Sequence, residues 1–269
     1  MRLAICTIQR DRGQWLKEWF GFHYAVGVRK FYFFAHKCTD NTSQVILELK
    51  NFFDIEAFEI DPNVERPQLS AYQHAYQNYS HEFDWMAFID GDEFLFPTHH
   101  LDLRETLENF SYKKMSALAV YWACFGSSGH TFEPKGLVTE NYRWRASVDF
   151  QANKHIKSIV MGRQGIHFSI LNNSHYFKTI NGTFDSVMHP INDGLTTYDP
   201  CYELIKINHY ATQSLEYFRN FKKKSGAADV SPNYIRPDTW WEKYDRNEIL
   251  DSSLDHINSK IKNVLDNLK

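Results

Sequence analysis

The run WMAFIDGDEFLFP, residues 85–97, constrains this 269-residue chain more than any other stretch. Trp85 to Ile89 are apolar without a break, the pattern of a strand covered on both faces. Asp90, Asp92 and Glu93 then interrupt a run that turns apolar again at Phe94. A carboxylate beside buried apolar side chains is costly unless a cation or hydrogen bonds compensate it. The chain must therefore fold so that something positive meets these acids.

The residues before the run alternate in type. RLAICTI (2–8), KFYFFAH (30–36), DIEAFEI (54–60) and WMAFID (85–90) read as strands. QWLKEWFGFHYAVG (14–27), NTSQVILELKNFF (41–53) and PQLSAYQHAYQNYS (67–80) read as helices, with Gly27 at a C-terminal cap and Pro67 in a first turn. Strands alternating with helices predict an α/β fold with a parallel sheet, whose ligands bind beyond the carboxyl ends of the strands. Asp90, Asp92, Asp40 and residues 7–13 all fall at that edge. The second half is less regular. SALAVYWACFG (116–126) and CYELIKINHY (201–210) are strand candidates, and SLEYFRNFKKKSG (214–226) reads as a helix. Leu254, Ile257, Ile261, Val264 and Leu268 share one helical face that packs on the domain.

At 43% hydrophobic and 16% aromatic, the chain has ample material for a core. A net charge of −3 with no basic block argues against nucleic acid as the main partner. Cys6, Cys38, Cys124 and Cys201 form no C-x-x-C pair, so neither a zinc knuckle nor a redox motif is expected, and scattered thiols fit a reducing compartment. The N-terminus shows no apolar signal-peptide core, and no stretch approaches the roughly 18 apolar residues of a membrane span.

Asp90 and Asp92 are two apart, which turns both side chains to one side of a strand end, and Gly91 keeps the backbone slim for an approaching ligand. Two hard oxygen donors suit Mg²⁺ or Mn²⁺, which complete their shells with phosphates and water. The plainer alternative is a turn with exposed acids, but a surface turn seldom needs so apolar a frame.

The blocks EWFGFHYAVGVRKFYFF (18–34), CTDN (38–41), DWMAFIDGDEFLFP (84–97), FGSSGH (125–130), KSIV (157–160) and NHYATQSLEYFRNFKKKSG (208–226) together resemble glycosyltransferase family 92 (domain of unknown function 23) and related bacterial family-2-like enzymes of the GT-A fold. The 84–97 block is the most specific of them. QRD (9–11) departs from an N-E pair typical of these relatives, which leaves the nucleotide-side contacts of the first loop open. The resemblance implies a Rossmann-like, mostly parallel sheet flanked by helices. Residues 1–226 would form the transferase domain, with 1–97 as the nucleotide-sugar half and 98–226 as the acceptor half. A C-terminal helical extension would span 227–269.

It also implies roles. A divalent metal, Mn²⁺ or Mg²⁺, would bridge the carboxylates to a sugar-nucleotide diphosphate. Asp92 is the preferred direct ligand, Asp90 binds metal or ribose, and Glu93 orients the site. His209 in NHY is the further metal ligand, with His175 and His189 as rivals. Lys222, Lys223 or Lys224 reaches the diphosphate, with Lys157 as the alternative. Asp40 contacts base or ribose unless it simply caps the following helix, and Gln73 contacts the base. His130 and Glu133, in the loop 126–134, are the candidates for the general base of an inverting displacement.

The expected activity is metal-dependent, inverting transfer of a sugar, UDP-linked and by the resemblance galactose, to a glycan acceptor, as in surface polysaccharide synthesis. A nucleotidyltransferase and a non-catalytic carbohydrate-binding module are the alternatives. No nucleic-acid partner and no membrane span are expected. The expected location is the cytoplasm, compatible with peripheral contact at the inner face of the membrane.

Overall fold

A computed structural model describes residues 1–162, 173–224, 226, 229 and 234–268. The alternation predicted for the first ninety residues is present. β1 (Leu3–Gln9), α1 (Gly13–Ala25), β2 (Lys30–Ala35), α2 (Thr42–Leu49), β3 (Ile55–Glu59), α3 (Pro67–Tyr79) and β4 (Trp85–Phe88) follow in order. The strands lie β3-β2-β1-β4, all parallel. Period-2 alternation sends successive residues of β1, β2 and β4 to the two faces, both of which are covered, while β3 at the edge is largely half-buried. Leu3, Ile5, Phe31, Phe33, Trp85 and Ala87 join one hydrophobic cluster with α1 and α2. Ala4, Cys6, Ile8, Tyr32, Phe34, Met86 and Phe88 join another with α3. α2 is shorter than predicted and gives way to a turn over 50–53.

Beyond β4 the sheet becomes mixed. β5 (Glu93–Pro97) follows the acids directly, and α4 (Leu103–Glu108) leads to β6 (Ala117–Cys124). After α5 (Val138–Asn141) and β7 (Trp144–Arg145), β8 (Ile156–Met161) inserts antiparallel between β4 and β6. β9 (Thr183–Phe184) and β10 (Pro190–Ile191) extend that edge, and β11 (Ile205–His209) pairs with both β5 and β6. The architecture is thus the expected α/β sheet flanked by helices, parallel through β4 and mixed after it. Neither β5 nor β8 stood out as a strand in the sequence.

The predicted helix at 214–226 is one turn, α6 (Leu215–Tyr217), followed by a π-turn over Phe218–Lys222. α7 (Asp238–Tyr244), β12 (Ile249–Leu250) and α8 (Asn258–Asp266) complete the chain. The proposed boundary after residue 226 falls at Ala227, outside the described residues. The apolar face foreseen at 254–268 packs on the body of the protein: Leu254, Ile257, Ile261 and Leu268 belong to the same cluster as α1. α8 lies so close to α1 that a Cβ on Gly21 would come within 2.4 Å of Leu265. No helix among the described residues is long and apolar enough to cross a membrane.

Polar anchors complete the frame. His23 on α1 pairs its Nδ1 with the Trp19 carbonyl at 2.8 Å, and its Nε2 accepts from the Leu95 amide at 3.1 Å. Glu18 accepts from the Val138 and Thr139 amides and so holds the start of α5. The C-terminal segment is tied to β11 by Lys206, whose ammonium lies 2.5 Å from Asp251, and Arg145 donates to the same carboxylate at 2.6 Å. Burial pulls Lys206 down to about 8 despite Asp251 beside it. Asp251→Asn should therefore lower the unfolding free energy in urea by about 3 kcal/mol, since it strands a buried ammonium. Adding Lys206→Met should recover most of that loss; a single variant as stable as the parent would show that the pair does not tie the segment down.

Candidate functional site

The carboxyl ends of β1, β2 and β4 open on a cleft of about 530 Å³. Asp90 and Asp92 both line it, but each faces its own cation. Asp90 Oδ2 lies 2.8 Å from Lys157 Nζ on β8. Its Oδ1 accepts from Gln68 at 2.6 Å and from the Tyr72 hydroxyl at 3.2 Å. Lys157 is fully buried and stands 3.8 Å from Glu93 as well. Glu93 Oε2 accepts the Asp90 amide at 2.8 Å, which fixes the turn between β4 and β5. Burial opposes ionisation of Asp90, but Lys157 outweighs it and holds that carboxyl below its ordinary range. Glu93, with no exposure at all, is pushed up by burial despite the same lysine.

Asp92 faces the other side. Its Oδ2 contacts Lys222 Nζ at the end of the π-turn, and its Oδ1 lies 3.8 Å from His209 Nε2 at the end of β11. His209 is placed by strand register: it is the partner of Glu93 on β5 and of Cys124 on β6. The Asp92 carbonyl accepts the Tyr210 amide at 2.9 Å, which locks the two segments together. Burial would raise the Asp92 carboxyl, but Lys222, then His209 and Arg12, hold it far below the ordinary carboxylate range. Burial pulls His209 down to about 3, so its imidazole is neutral at pH 7 and can offer a lone pair. Its ring packs against Trp122, with centroids 4.0 Å apart.

Gly91 has a different partner from the one the sequence implied. A Cβ there would sit 2.5 Å from Gln9 Oε1, so the missing side chain makes room for the end of β1, which lines the cleft beside it. Arg12, in the loop that departs from the family pattern, donates to the Gly91 carbonyl at 2.8 Å and to the Tyr217 hydroxyl at 2.6 Å. Its guanidinium lies 4.3 Å from the centroid of Trp15.

The predicted residues are only partly gathered. Asp90, Asp92, His209 and Lys222 line the cleft, as does His175; Lys157 supports it from within the sheet. Both oxygens of Asp90 are engaged by Lys157, Gln68 and Tyr72, so the structure does not unite Asp90, Asp92 and His209 around one point. Among the described residues no group of three or more His, Cys, Asp or Glu side chains is arranged to hold a metal. Asp92 and His209 remain as a two-donor set, which fits an ion that takes few protein ligands and completes its shell with phosphate and water.

Asp40 accepts from the Gly13 and Thr42 amides, both at 2.9 Å; it joins the starts of α1 and α2 and does not line the cleft. Gln73 is on the exposed face of α3, and it is Gln68 that lines the cleft and donates to Asp90. His130 and Glu133 do not line the cleft either. Their loop is pinned to the C-terminal half, with the Ser127 amide on Asp245 and the Ser128 amide on Asn247. Glu133 accepts from Ser214 at 2.9 Å. The loop thus packs against the segment at 214–216 and the C-terminal part of the chain, and none of its residues lines the cleft. His189 pairs with buried Asp185 at 3.0 Å, and Lys223 turns to Asp238. Residues that sequence reading missed are Arg12, Gln68, Tyr72, Trp122 and Tyr217. The one signal for them was the i,i+4 spacing of Gln68 and Tyr72 on a helix that precedes the acidic strand.

Lys157→Met should cost about 3–5 kcal/mol at pH 7, because it leaves acids buried without their cation. A carboxylate held low in the fold contributes stability above its unfolded value and loses it as pH falls, so the gap to the parent should narrow below about pH 4. Urea titrations at pH 7 and pH 3.5 with an equal gap would contradict this role.

The sequence profile of glycosyltransferase family 92 matches residues 2–262. A family 92 protein of Oryza sativa subsp. japonica is 27% identical over 222 residues, covering 81% of this chain and 34% of that protein. One of Arabidopsis thaliana is 23% identical over 229 residues, covering 81% and 36%. The chain thus spans about a third of the length of the curated relatives it matches. Among solved structures, S. aureus TarS 1–349 in complex with UDP aligns with a TM-score of 0.41 at 12% identity, over 65% of this chain and 53% of that one. Glucosyl-3-phosphoglycerate synthase from Mycobacterium tuberculosis, in complex with Mn²⁺, UDP and phosphoglyceric acid, aligns at 0.32 and 10%, over 45% and 43%.

Proposed function

The chain belongs to glycosyltransferase family 92, and on that premise we propose that its cleft transfers a sugar from a nucleotide diphosphate to a glycan acceptor, with a divalent metal and inversion at the anomeric carbon. The observation that carries this reading is Asp92 at the strand edge, with His209 on one side and Lys222 on the other, in a cleft richer in cations than in acids. Arg10, Arg12, Lys37, Lys222 and Arg236 line it against Glu65, Asp90 and Asp92. That surplus suits a diphosphate, whose leaving builds further negative charge.

Asp92 and His209 would hold the metal, Mn²⁺ or Mg²⁺, which supplies Lewis-acid compensation of the leaving group. Arg12 and Lys222 add positive charge on the same side, and Arg12 is aimed by its contacts to Gly91 and Tyr217. Asp90, anchored by Lys157, offers a hydrogen-bond acceptor to a ribose or sugar hydroxyl. Trp122, Trp240 and Tyr244 give apolar faces for the base or sugar. The base that inversion requires must reach the acceptor hydroxyl inside this cleft. His36 and His175, the imidazoles besides His209 that line it, are therefore better placed than His130 or Glu133. A UDP donor, with galactose as the sugar implied by the family resemblance, is the first to test.

Calorimetry with UDP, GDP and CMP sugars, each with and without Mn²⁺, tests the reading: one of them should bind and do so only with metal. Asp92→Asn should lower transfer on the order of 10²-fold with the fold intact. His209→Ala should raise the Mn²⁺ needed for half-saturation roughly tenfold. Metal-independent binding that survives both substitutions would refute the assignment, and a product that keeps the donor's anomeric configuration would refute single displacement.

A further inference from the structure

The two lysines that meet the acids of the cleft, Lys157 and Lys222, differ in a way that the proposed reaction does not require. Lys157 is fully buried and shared by Asp90 and Glu93. It is part of the sheet and cannot leave without stranding both acids. Lys222 serves the single carboxylate of Asp92, and its side chain is 17% exposed at the cleft wall. Its main chain is held where the π-turn ends: the Lys222 carbonyl accepts from Arg236 at 2.6 Å, and Lys223 donates to the Phe218 carbonyl at 2.7 Å. The anchor is thus in the backbone, and the ammonium sits at the end of a flexible four-carbon stem.

Asp92 is only 8% exposed, so it needs a positive partner at all times. Arg12 does not contact Asp92: its Nη1 and Nη2 are held by the Tyr217 hydroxyl and the Gly91 carbonyl, and its plane lies over Trp15. Lys222 therefore stands where a cation bound by Asp92 and His209 would have to be compensated. Two positive charges cannot share one carboxylate without mutual repulsion.

We propose that Lys222 is the exchangeable counter-cation of Asp92: it holds the carboxylate until a divalent ion arrives, then yields it and turns to the donor diphosphate. This rests on the reading that Asp92 and His209 bind the ion. It makes Lys222 and the ion competitors for Asp92. The donor, by drawing the ammonium away, strengthens uptake of the ion, and by linkage the ion strengthens uptake of the donor.

The test is Mn²⁺ uptake by the full chain without nucleotide, followed by the electron paramagnetic resonance signal of free Mn²⁺. Lys222→Met and Lys222→Gln should each bind Mn²⁺ about tenfold more tightly than the parent, the scale of one displaced ion-pair competitor. Lys222→Arg, which keeps the charge, should stay near the parent. In saturating Mn²⁺, calorimetry with UDP should show the Met and Gln variants binding about tenfold more weakly. Using both variants guards against one that folds poorly. Mn²⁺ titrations of both that superimpose on the parent overturn the exchange while leaving the metal site standing. A parent that takes up no Mn²⁺ overturns the metal site and the exchange together.

Discussion

The ammonium of Lys157 is the charge on which the centre of this molecule depends. It rises from β8 with no exposure and meets Asp90 at 2.8 Å and Glu93 at 3.8 Å. β8 is itself wedged antiparallel between β4 and β6, so the lysine is held by ladders on both sides. With it in place, β4 can end in acids and still remain in the interior. Glu93 then accepts the Asp90 amide, and the chain reverses into β5 with its backbone satisfied.

That reversal sets the geometry of everything beyond it. β5 carries β11 as its antiparallel partner, and the register Glu93↔His209 brings the histidine to the acids. The same pairing places Asn208 and Lys206 on the opposite side of β11, where Lys206 meets Asp251 and receives the C-terminal segment. Helix α8 then packs on α1. β11 thus carries Ile205 and Ile207 into the core and His209 to the cleft with one set of alternate residues, and with the other presents the Lys206 that ties down the C-terminal segment.

The cleft separates two jobs that a pair of carboxylates one residue apart could otherwise share. Asp90 is fixed by a buried lysine, Gln68 and Tyr72, and its side chain stays 31% exposed toward the cleft. Asp92 is the more buried of the two, and its partners, Lys222 and His209, come from the cleft wall. The division follows from the turn: Gly91 lies against Gln9, and the two side chains are sent to different walls.

Much of this was legible in the sequence. The period-2 strands and the helices between them are local patterns, and local patterns report burial. They placed β1 to β4, α1 to α3 and the acids at a strand end, while the family was legible in the motif blocks that resemble it. They also marked Leu254, Ile257 and Ile261 as an inward face. Helices that end in turns, such as α2 and the segment at 214–226, were read too long, because tertiary contacts and not propensity ended them. The answer to the acids was half legible. Their need for a cation follows from the apolar frame alone, but the cations come from 67 residues away for Asp90 and 130 for Asp92. No spacing reports a partner at that separation. Gln68 over Gln73, the retreat of His130 and Glu133 from the cleft, and the occupation of the space at Gly91 by Gln9 were likewise decided only by packing. Periodicity states which side chains must be buried, whereas the choice of which charges meet there is made when distant segments close on one another.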